Sequence, residues 1–578
     1  MAKRFRLVVF TSGPLATVNR IFFERMARDP ALDLVGIVVD EYQRPRRPLP
    51  VRIARALRED GWTWVRFKAG SAVQRLADRV ITRAWERFHP VVASDESYEV
   101  FEQRTGVPVH RVADIHSDAS LTLIRGLEPR LGVIVGTRIL RDTVLAIPDL
   151  GTVNIHKRKV PEYRGGGPVG YWEVLAGERS IGVTIHWAVA QVDAGDVLGQ
   201  IEIPIEECDT LASLRIKADI AGANLYHQVI RDIAAEKHAA IRQDMTNART
   251  FRAPTDAKVW RLEQKLRRRA TARMPALRVQ PSWLTRARLV AQYVVVLPRL
   301  RATSRRLVQA GTAPIAMLFY HVVANRVVNH LCIPLEQFAR HADFLRRYVG
   351  IVSLHEAVER LRSGKNDRYA AAITFDDGYR DNHWLIAYLK YFEIPATFFV
   401  SAGHADDGTP FAHDHEAGFA APPMRREDVR ALSASGFTVG SHALYHEDFA
   451  SAEPAAMDRI LRESREAITA MTGRVPHHFS FPFGERERQV TSRTLALALR
   501  HYPFVYSAYG GYNLPDVDAR HFVRLAAPVD VLTLALVCDG YPGFRQCLRG
   551  QAWDAGARTL AIAPPEVPST VGARADAA

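Results

Sequence analysis

Two short stretches carry side chains that could do chemistry. The first is TVNIHKRKVPEYRGGGP, 152–168, where an apolar strand pattern ends in Asn154 and His156 and runs into three cations and a glycine-rich turn. Asparagine offers an amide donor that does not ionise, and imidazole can donate to a developing oxyanion or move a proton. A carboxylate beside His156 would orient the ring and favour its cationic form. Asp193 is the candidate, in the turn-like DAGD of GVTIHWAVAQVDAGDVLGQ, 182–200. Such a set suits attack by an amine on a carbonyl, because the oxyanion needs donors and the ammonium must lose a proton. Taken alone, Asn-x-His also fits a strand-end polar pair satisfied by backbone.

The second stretch is ITFDDGYR, 373–380, with Asp376 and Asp377 side by side at a strand end. Adjacent carboxylates share a site only when a cation lies between or beside them. SHALYHEDF, 441–449, adds His442 and His446, and their i, i+4 spacing predicts both imidazoles on one helical face, turned to one metal. One Asp and two His leave open positions for water and substrate, which is the pattern of a catalytic ion. The second carboxylate is then free to act as a base.

The first stretch resembles the folate-dependent formyltransferases. Their motif runs Asn-x-His, Leu-Pro-x-Tyr-Arg-Gly, Gly-Val-Thr-x-His and Asp-x-Gly, and this chain shows NIH, VPEYRGGGP, GVTIH and DAG in that order. GTRILRDTVLAIPDLG, 136–151, is similar to the family's strand and folate loop. The resemblance covers about 5–235 and implies formyl transfer from N10-formyltetrahydrofolate to an amine. It implies that Asn154 and His156 stabilise the formyl oxyanion, and that Asp193 keeps His156 charged and assists proton removal. Arg138, Ile139, Leu140 and Val192 fall in its pterin-binding loops, acting chiefly through backbone groups. The chain departs from the family at Lys157, Arg158 and Lys159, which read equally as a phosphate-binding trio or as a solvated loop. The methionyl-tRNA members also carry a C-terminal β-barrel. No β-rich stretch follows the helical pattern of 211–234 here, which argues against initiator tRNA and toward a sugar amine as acceptor.

The second stretch resembles the polysaccharide deacetylases (NodB-like carbohydrate esterases) over about 314–530. The resemblance implies that Asp377, His442 and His446 bind a divalent metal, most often Zn2+, and that Asp376 is the base. It also implies that His321, in MLFYHVV, protonates the leaving amine, and that the backbone N–H of Tyr379 helps hold the oxyanion. His413, His415, His477 and His478 match no part of the triad and read as loop or surface residues. FSFPFG, 479–484, stands where the family has Arg-Pro-Pro-Tyr, and the missing arginine leaves open which group orients Asp376.

The elements that must position these groups follow from pattern. At 578 residues the chain exceeds one compact core. Short apolar runs (LVVF, VGIVV, GVIVG) alternate with helical patterns, which predicts an α/β fold with mainly parallel strands and ligands at their carboxyl ends. The expected plan is a Rossmann-like formyltransferase domain at 1–250 and a basic amphipathic linker at 251–312. A NodB-type (β/α) barrel follows at 313–548, then a disordered tail at 549–578.

Charge and cysteine usage exclude some classes. Of the net +14, residues 251–310 hold fifteen Arg or Lys against Asp256 and Glu263, so +13 lies in one segment, a globally basic nucleic-acid binder is a poor reading, and an RNA contact of this segment is the least favoured of its readings. That segment reads as a solvated linker or as a surface helix on anionic lipid, its stripe of Leu289, Tyr293 and Val296 lying between arginines and interrupted at Pro298. The four scattered cysteines fit a reducing compartment, so the expected place is the cytoplasm or the inner face of its membrane. The combined expectation is a bifunctional enzyme of amino-sugar and cell-surface glycan metabolism, acting on a nucleotide- or lipid-linked sugar. The alternative is an active deacetylase carrying a folate- or sugar-binding scaffold.

Overall fold

The computed structural model describes residues 4–43, 48–72, 97–274, 283–416, 418 and 421–541. The expected tail, 549–578, lies outside them. The first half is built on a seven-stranded sheet. Its strands are β1 (Phe5–Ser12), β2 (Leu32–Asp40), β3 (Val109–Val112), β4 (Leu131–Val135), β5 (Thr152–His156), β6 (Ser180–Trp187) and β7 (Val197–Pro204). The order is β3-β2-β1-β4-β5-β6-β7, parallel as far as β5 and antiparallel beyond it. All five residues of β4 are buried, as expected of a central parallel strand covered on both faces.

Helix Leu211–Ala234 lies along one face. Its buried Tyr226 donates to the carbonyls of Ile134 (3.1 Å) and Val153 (2.8 Å). Gly222 permits the close approach, since a Cβ there would stand 3.0 Å from both Ile155 and Val183. This packing fixes β5 so that Asn154 and His156 emerge at the sheet's carboxyl edge, with Asn154 opposite His186 of β6.

The second half is a nine-stranded parallel sheet curled into a nearly closed barrel. Its strands are β8 (Ile315–Tyr320), β9 (Ile351–Val352), β10 (Ala370–Phe375), β11 (Thr397–Val400), β12 (Thr438–Ser441), β13 (His478–Ser480), β14 (Phe504–Ser507), β15 (His521–Val523) and β16 (Leu525–Ala526). The order is β15-β14-β13-β12-β11-β10-β8-β16, with β9 also on β10. The two ends of this order, β15 and β16, are separated in sequence by Arg524 alone. The chain therefore closes the barrel itself, with Arg524 at the seam. Asn513 stitches the same gap, exchanging hydrogen bonds of 2.9 Å with the Val523 backbone and donating its own N–H to Ile315 (3.4 Å). The carboxyl ends of β8, β10, β12 and β13 lead to His321, Asp376 and Asp377, His442, and Phe481.

The halves share packing. Helix 211–234 touches Leu335–Tyr348 and His383–Tyr391 of the second half, and Tyr391 donates to the Val18 carbonyl at 2.7 Å. Glu336 accepts from Thr210 and Asn325, both at 3.0 Å. Lys217 is fully buried between Asp209 (2.8 Å) and Glu206 (2.7 Å), 5.5 Å from the ring of Trp384. Burial pushes the Asp209 carboxyl up to about 6 even with this ammonium beside it. Lys217→Met leaves both carboxylates without their cation and is expected to cost about 3–5 kcal/mol at pH 7. The cost should shrink near pH 5, where Asp209 takes up a proton and needs no counter-charge. Urea titrations at both pH values check this, and a loss below about 1 kcal/mol at pH 7 contradicts it.

The basic segment differs from expectation. It forms helices Asp256–Arg273, capped by Thr255, and Trp283–Gln309. The latter continues through Pro298, where an interruption was expected. The stripe expected on lipid faces protein instead. Tyr293, Leu297 and Leu300 are buried in the main core, and Leu289 and Val296 pack against it. Tyr293 donates to Asp539, and Arg301 pairs with the same carboxylate at 3.1 Å. Among the described residues, no helix is long and apolar enough to cross a membrane.

Candidate active sites

At the end of β5 the groups converge on Asp193. Its Oδ2 lies 3.3 Å from Nδ1 of His156 and accepts the backbone N–H of Gly165 at 3.0 Å. Its Oδ1 faces Nε2 of His186 and accepts from Nδ2 of Asn154, both at 3.5 Å. Asp193 adopts a left-handed backbone, φ 51°, a conformation that a non-glycine residue holds only when its surroundings enforce it. Gln243 supplies part of that enforcement by donating to the carbonyls of Asp193 (3.1 Å) and Gly195 (2.6 Å). Burial alone would raise the Asp193 carboxyl, but His186, His156 and the Gly165 N–H outweigh it and hold it at about 2.

His156 has one ring nitrogen on Asp193 and the other 2.8 Å from the Tyr163 carbonyl. Both ring nitrogens therefore face acceptor oxygens. Burial is the larger effect and holds His156 below its ordinary value, with Asp193 and Tyr163 only partly opposing it.

The motif GVTIH does not by itself single out His186. His186 is 2% exposed and sits 3.2 Å from Asn154 Nδ2, with Nδ1 fixed on the Trp187 carbonyl at 2.8 Å. The signal that could have found it is antiparallel pairing, which sets it opposite Asn154.

The cationic trio is not a free phosphate site. Buried Arg158 donates to the carbonyls of Gly166 (3.1 Å) and Pro168 (3.0 Å) and so shapes the glycine-rich turn. Lys157 pairs with Asp219, and Lys159 holds Ser180 (2.8 Å) and Glu202 (3.1 Å). Arg138 pairs with Asp40 at 2.5 Å and with Asp114, its guanidinium 4.2 Å over the ring of Tyr42. Ile139 and Val192 are exposed and Leu140 is buried.

In the barrel, ligand atoms of Asp377, His442 and His446 lie within 4.8 Å of one another. Oδ1 of Asp377 stands 3.3 Å from Nε2 of His442 and 3.5 Å from Nε2 of His446. It is buried and makes no hydrogen bond among the described residues. The Ser480 carbonyl, 2.8 Å from Nδ1 of His442, fixes the tautomer whose Nε2 lone pair faces Asp377. Burial pushes His446 down to about 3, so it is a neutral ring. Burial would lower His442, but Asp376 and Asp377 outweigh it and hold that ring above its ordinary value, so an ion binding there must displace its proton; the two imidazole nitrogens and the carboxylate oxygen then fit a divalent cation. The two His residues do not share a helical face as expected. Residues 442–446 form a turn in which Ala443 and His446 are left-handed, at φ 65° and 58°, and this turn brings the rings to 5.0 Å.

Arg524 answers which group orients Asp376. It is wholly buried and forms a bidentate pair with Asp376, 2.7 Å to each oxygen, and it also donates to Thr374 (2.9 Å) and Ser480 (2.5 Å). Burial would raise the Asp376 carboxyl, but Arg524 and His442 outweigh it and leave it below its ordinary value. The only signal in HFVRLAAP was a lone cation in an apolar run. His321 lies near both aspartates and is held below its ordinary value by burial. Two histidines read as loop or surface residues are placed differently: His478 is buried against the Tyr506 hydroxyl at 2.9 Å, and His413 faces Asp377. His415 and His477 are exposed.

Residues 87–230 match the formyl transferase family model, and residues 363–502 match the polysaccharide deacetylase family model. The chain therefore joins a formyltransferase region to a polysaccharide deacetylase region. Over 147 residues it is 37% identical to the methionyl-tRNA formyltransferase of Geobacillus sp. (strain WCH70), covering 25% of this chain and 46% of that one. Over 195 residues it is 32% identical to that of Bacillus cytotoxicus, covering 34% and 58%. The chain spans about half the length of the curated relatives it matches. The solved structure of IcaB from Ammonifex degensii is 23% identical, with a TM-score of 0.33, covering 39% of this chain and 97% of that one.

Proposed function

We propose that the chain is a bifunctional enzyme that transfers a formyl group from N10-formyltetrahydrofolate to the amine of an amino sugar and hydrolyses an N-acyl group from a sugar. The observation that supports it best is the pairing of a Asp377–His442–His446 cluster with a second carboxylate, Asp376, held ionised by Arg524. Asp377, His442 and His446 would hold the divalent ion, which when bound polarises the acyl carbonyl and makes water a better nucleophile. Asp376 takes the proton of the attacking water. His321, beside both aspartates, relays that proton to the departing amine. In the first half, Asn154 donates to the oxygen of the transferring formyl group. His156 joins Asn154 in stabilising the developing oxyanion, and Asp193, 3.3 Å away, holds its ring and assists removal of the ammonium proton.

A sugar rather than a tRNA acceptor is supported by the segment after the first half. Between 235 and 312 the described residues hold two long helices, a short 3-10 turn at Met245–Asn247 and one two-residue strand, Thr250–Phe251, with nothing resembling an added β-barrel. The order we favour is deacylation first, exposing an amine that the other site formylates, since it needs no intervening step. Mass spectrometry of UDP- and dTDP-amino sugars incubated with the protein and formyltetrahydrofolate tests the transfer, and absence of a mass gain of one formyl group on any of them counts against it. For the hydrolase, His442→Ala is expected to lose stoichiometric metal and deacylation of a model N-acetyl sugar while keeping formyl transfer. Retention of both metal and deacylation refutes that site.

A further inference from the structure

Helix Trp283–Gln309 has a second face that the core does not use. Tyr293, Leu297 and Leu300 are buried on one side of it. Along the other, Arg288, Ala291, Val295, Pro298, Ala302 and Arg305 are all exposed and recur at alternating intervals of three and four residues, which is one stripe on a helix. Val294, Arg299 and Arg306 border the stripe and are exposed as well. Val294 is 51% and Val295 78% exposed, so two adjacent apolar side chains stand in solvent at mid-helix with arginines to either side of them. The helix holds six arginines and no Asp or Glu. Among the described residues Arg301 pairs with Asp539 on the buried side, whereas Arg288, Arg299, Arg305 and Arg306 pair with no carboxylate. Neither of the two reactions proposed above uses this face.

We infer that this face lies on the surface of an anionic lipid bilayer, with the four arginines at the phosphates and Val294 and Val295 in the boundary between headgroups and acyl chains. Charge complementarity chooses the occupant. Four guanidiniums with no carboxylate among them call for a dense negative surface, and the valines between them call for one with an apolar layer beneath its charges. A nucleic-acid backbone meets the first demand and leaves the valines in water. Arginine suits such a boundary, because its stem can lie along apolar surface while its head stays in the polar layer. The contact is peripheral, a helix lying in the plane of the surface. Each cation near an anionic surface strengthens binding by about fivefold, so the four together outweigh the valine pair.

The test is flotation of the full-length protein with two kinds of vesicle, phosphatidylcholine alone and phosphatidylcholine mixed about two to one with phosphatidylglycerol. The protein is expected to float with the anionic vesicles only, and less of it as salt rises from about 0.05 to 0.5 M. Changing Arg288, Arg299, Arg305 and Arg306 together to Gln should weaken binding about 100-fold or more. Val294→Ser with Val295→Ser should weaken it about 10-fold without altering the salt dependence. The charge-matched control removes Lys258, Arg261, Lys265 and Arg268, exposed on helix Asp256–Arg273, by the same change to Gln, and should cost less than about fivefold. An equal loss in that control assigns the binding to overall charge and overturns the inference. So does a parent that floats with neither vesicle. If the valine changes have no effect and a single-stranded RNA displaces the protein from the vesicles at equal phosphate, the face reads phosphate charge alone, and the lipid occupant is overturned.

Discussion

Arg524→Met is expected to destabilise the protein by about 3–5 kcal/mol and to abolish deacylation, because it leaves the Asp376 carboxylate buried and unpaired. The guanidinium makes four charge-assisted or polar contacts inside the barrel, to both oxygens of Asp376, to Thr374 and to Ser480. It also lies 5.0 Å over the rings of Phe319 and Phe399, so methionine keeps much of the stem packing and removes chiefly the charge. Adding Asp376→Asn to Arg524→Met should restore a sizeable part of the stability but none of the activity, since the amide needs no counter-charge and cannot act as a base. Chemical denaturation of the single and double variants measures the coupling. An Arg524→Met protein within about 1 kcal/mol of the parent, or one that still deacylates, contradicts this account.

Asp193→Asn should reduce formyl transfer by about 10²–10⁴-fold while leaving deacylation intact, because one carboxylate positions Asn154, His156, His186 and the Gly165 N–H together. The same residue has a stability signature. Its folded pKa, about 2, lies below the ordinary 3.8, so the folded state favours the ionised form. Its stabilisation, about 2 kcal/mol, is present above pH 4 and is lost as pH falls from about 4 toward 2. The stability gap between parent and Asp193→Asn should therefore be open at pH 6 and close toward pH 2. A gap that is constant across that range, or a formyl transfer rate within threefold of the parent, tells against the assignment.

What was legible in the sequence was local. Alternating apolar runs and helical patterns announced two α/β halves, since a strand buried on both faces must be apolar along its length. The residues at strand ends, Asn154, His156, Asp376 and Asp377, were legible for a related reason, because a polar pair closing an apolar run has nowhere to go but the carboxyl edge. Spacing also placed His442 and His446 together, although through a left-handed turn and not a helix: periodicity records separation along the chain, while φ at Ala443 and His446 is decided by what they pack against.

Partners of charges were not legible, because they come from distant elements. Arg524 meets Asp376 across 148 residues, and it does so only because the barrel's first and last strands in the sheet order are neighbours in sequence. His186 reaches Asn154 through antiparallel register, and His413 reaches Asp377 through the loop after β11. Lys157, Arg158 and Lys159 looked free in sequence, yet each is bound to groups between 8 and 62 residues away. The stripe of Leu289, Tyr293 and Val296 carries the same lesson. Amphipathic spacing shows that a helix must cover an apolar face, but only the tertiary structure decides that the cover is the protein's own core.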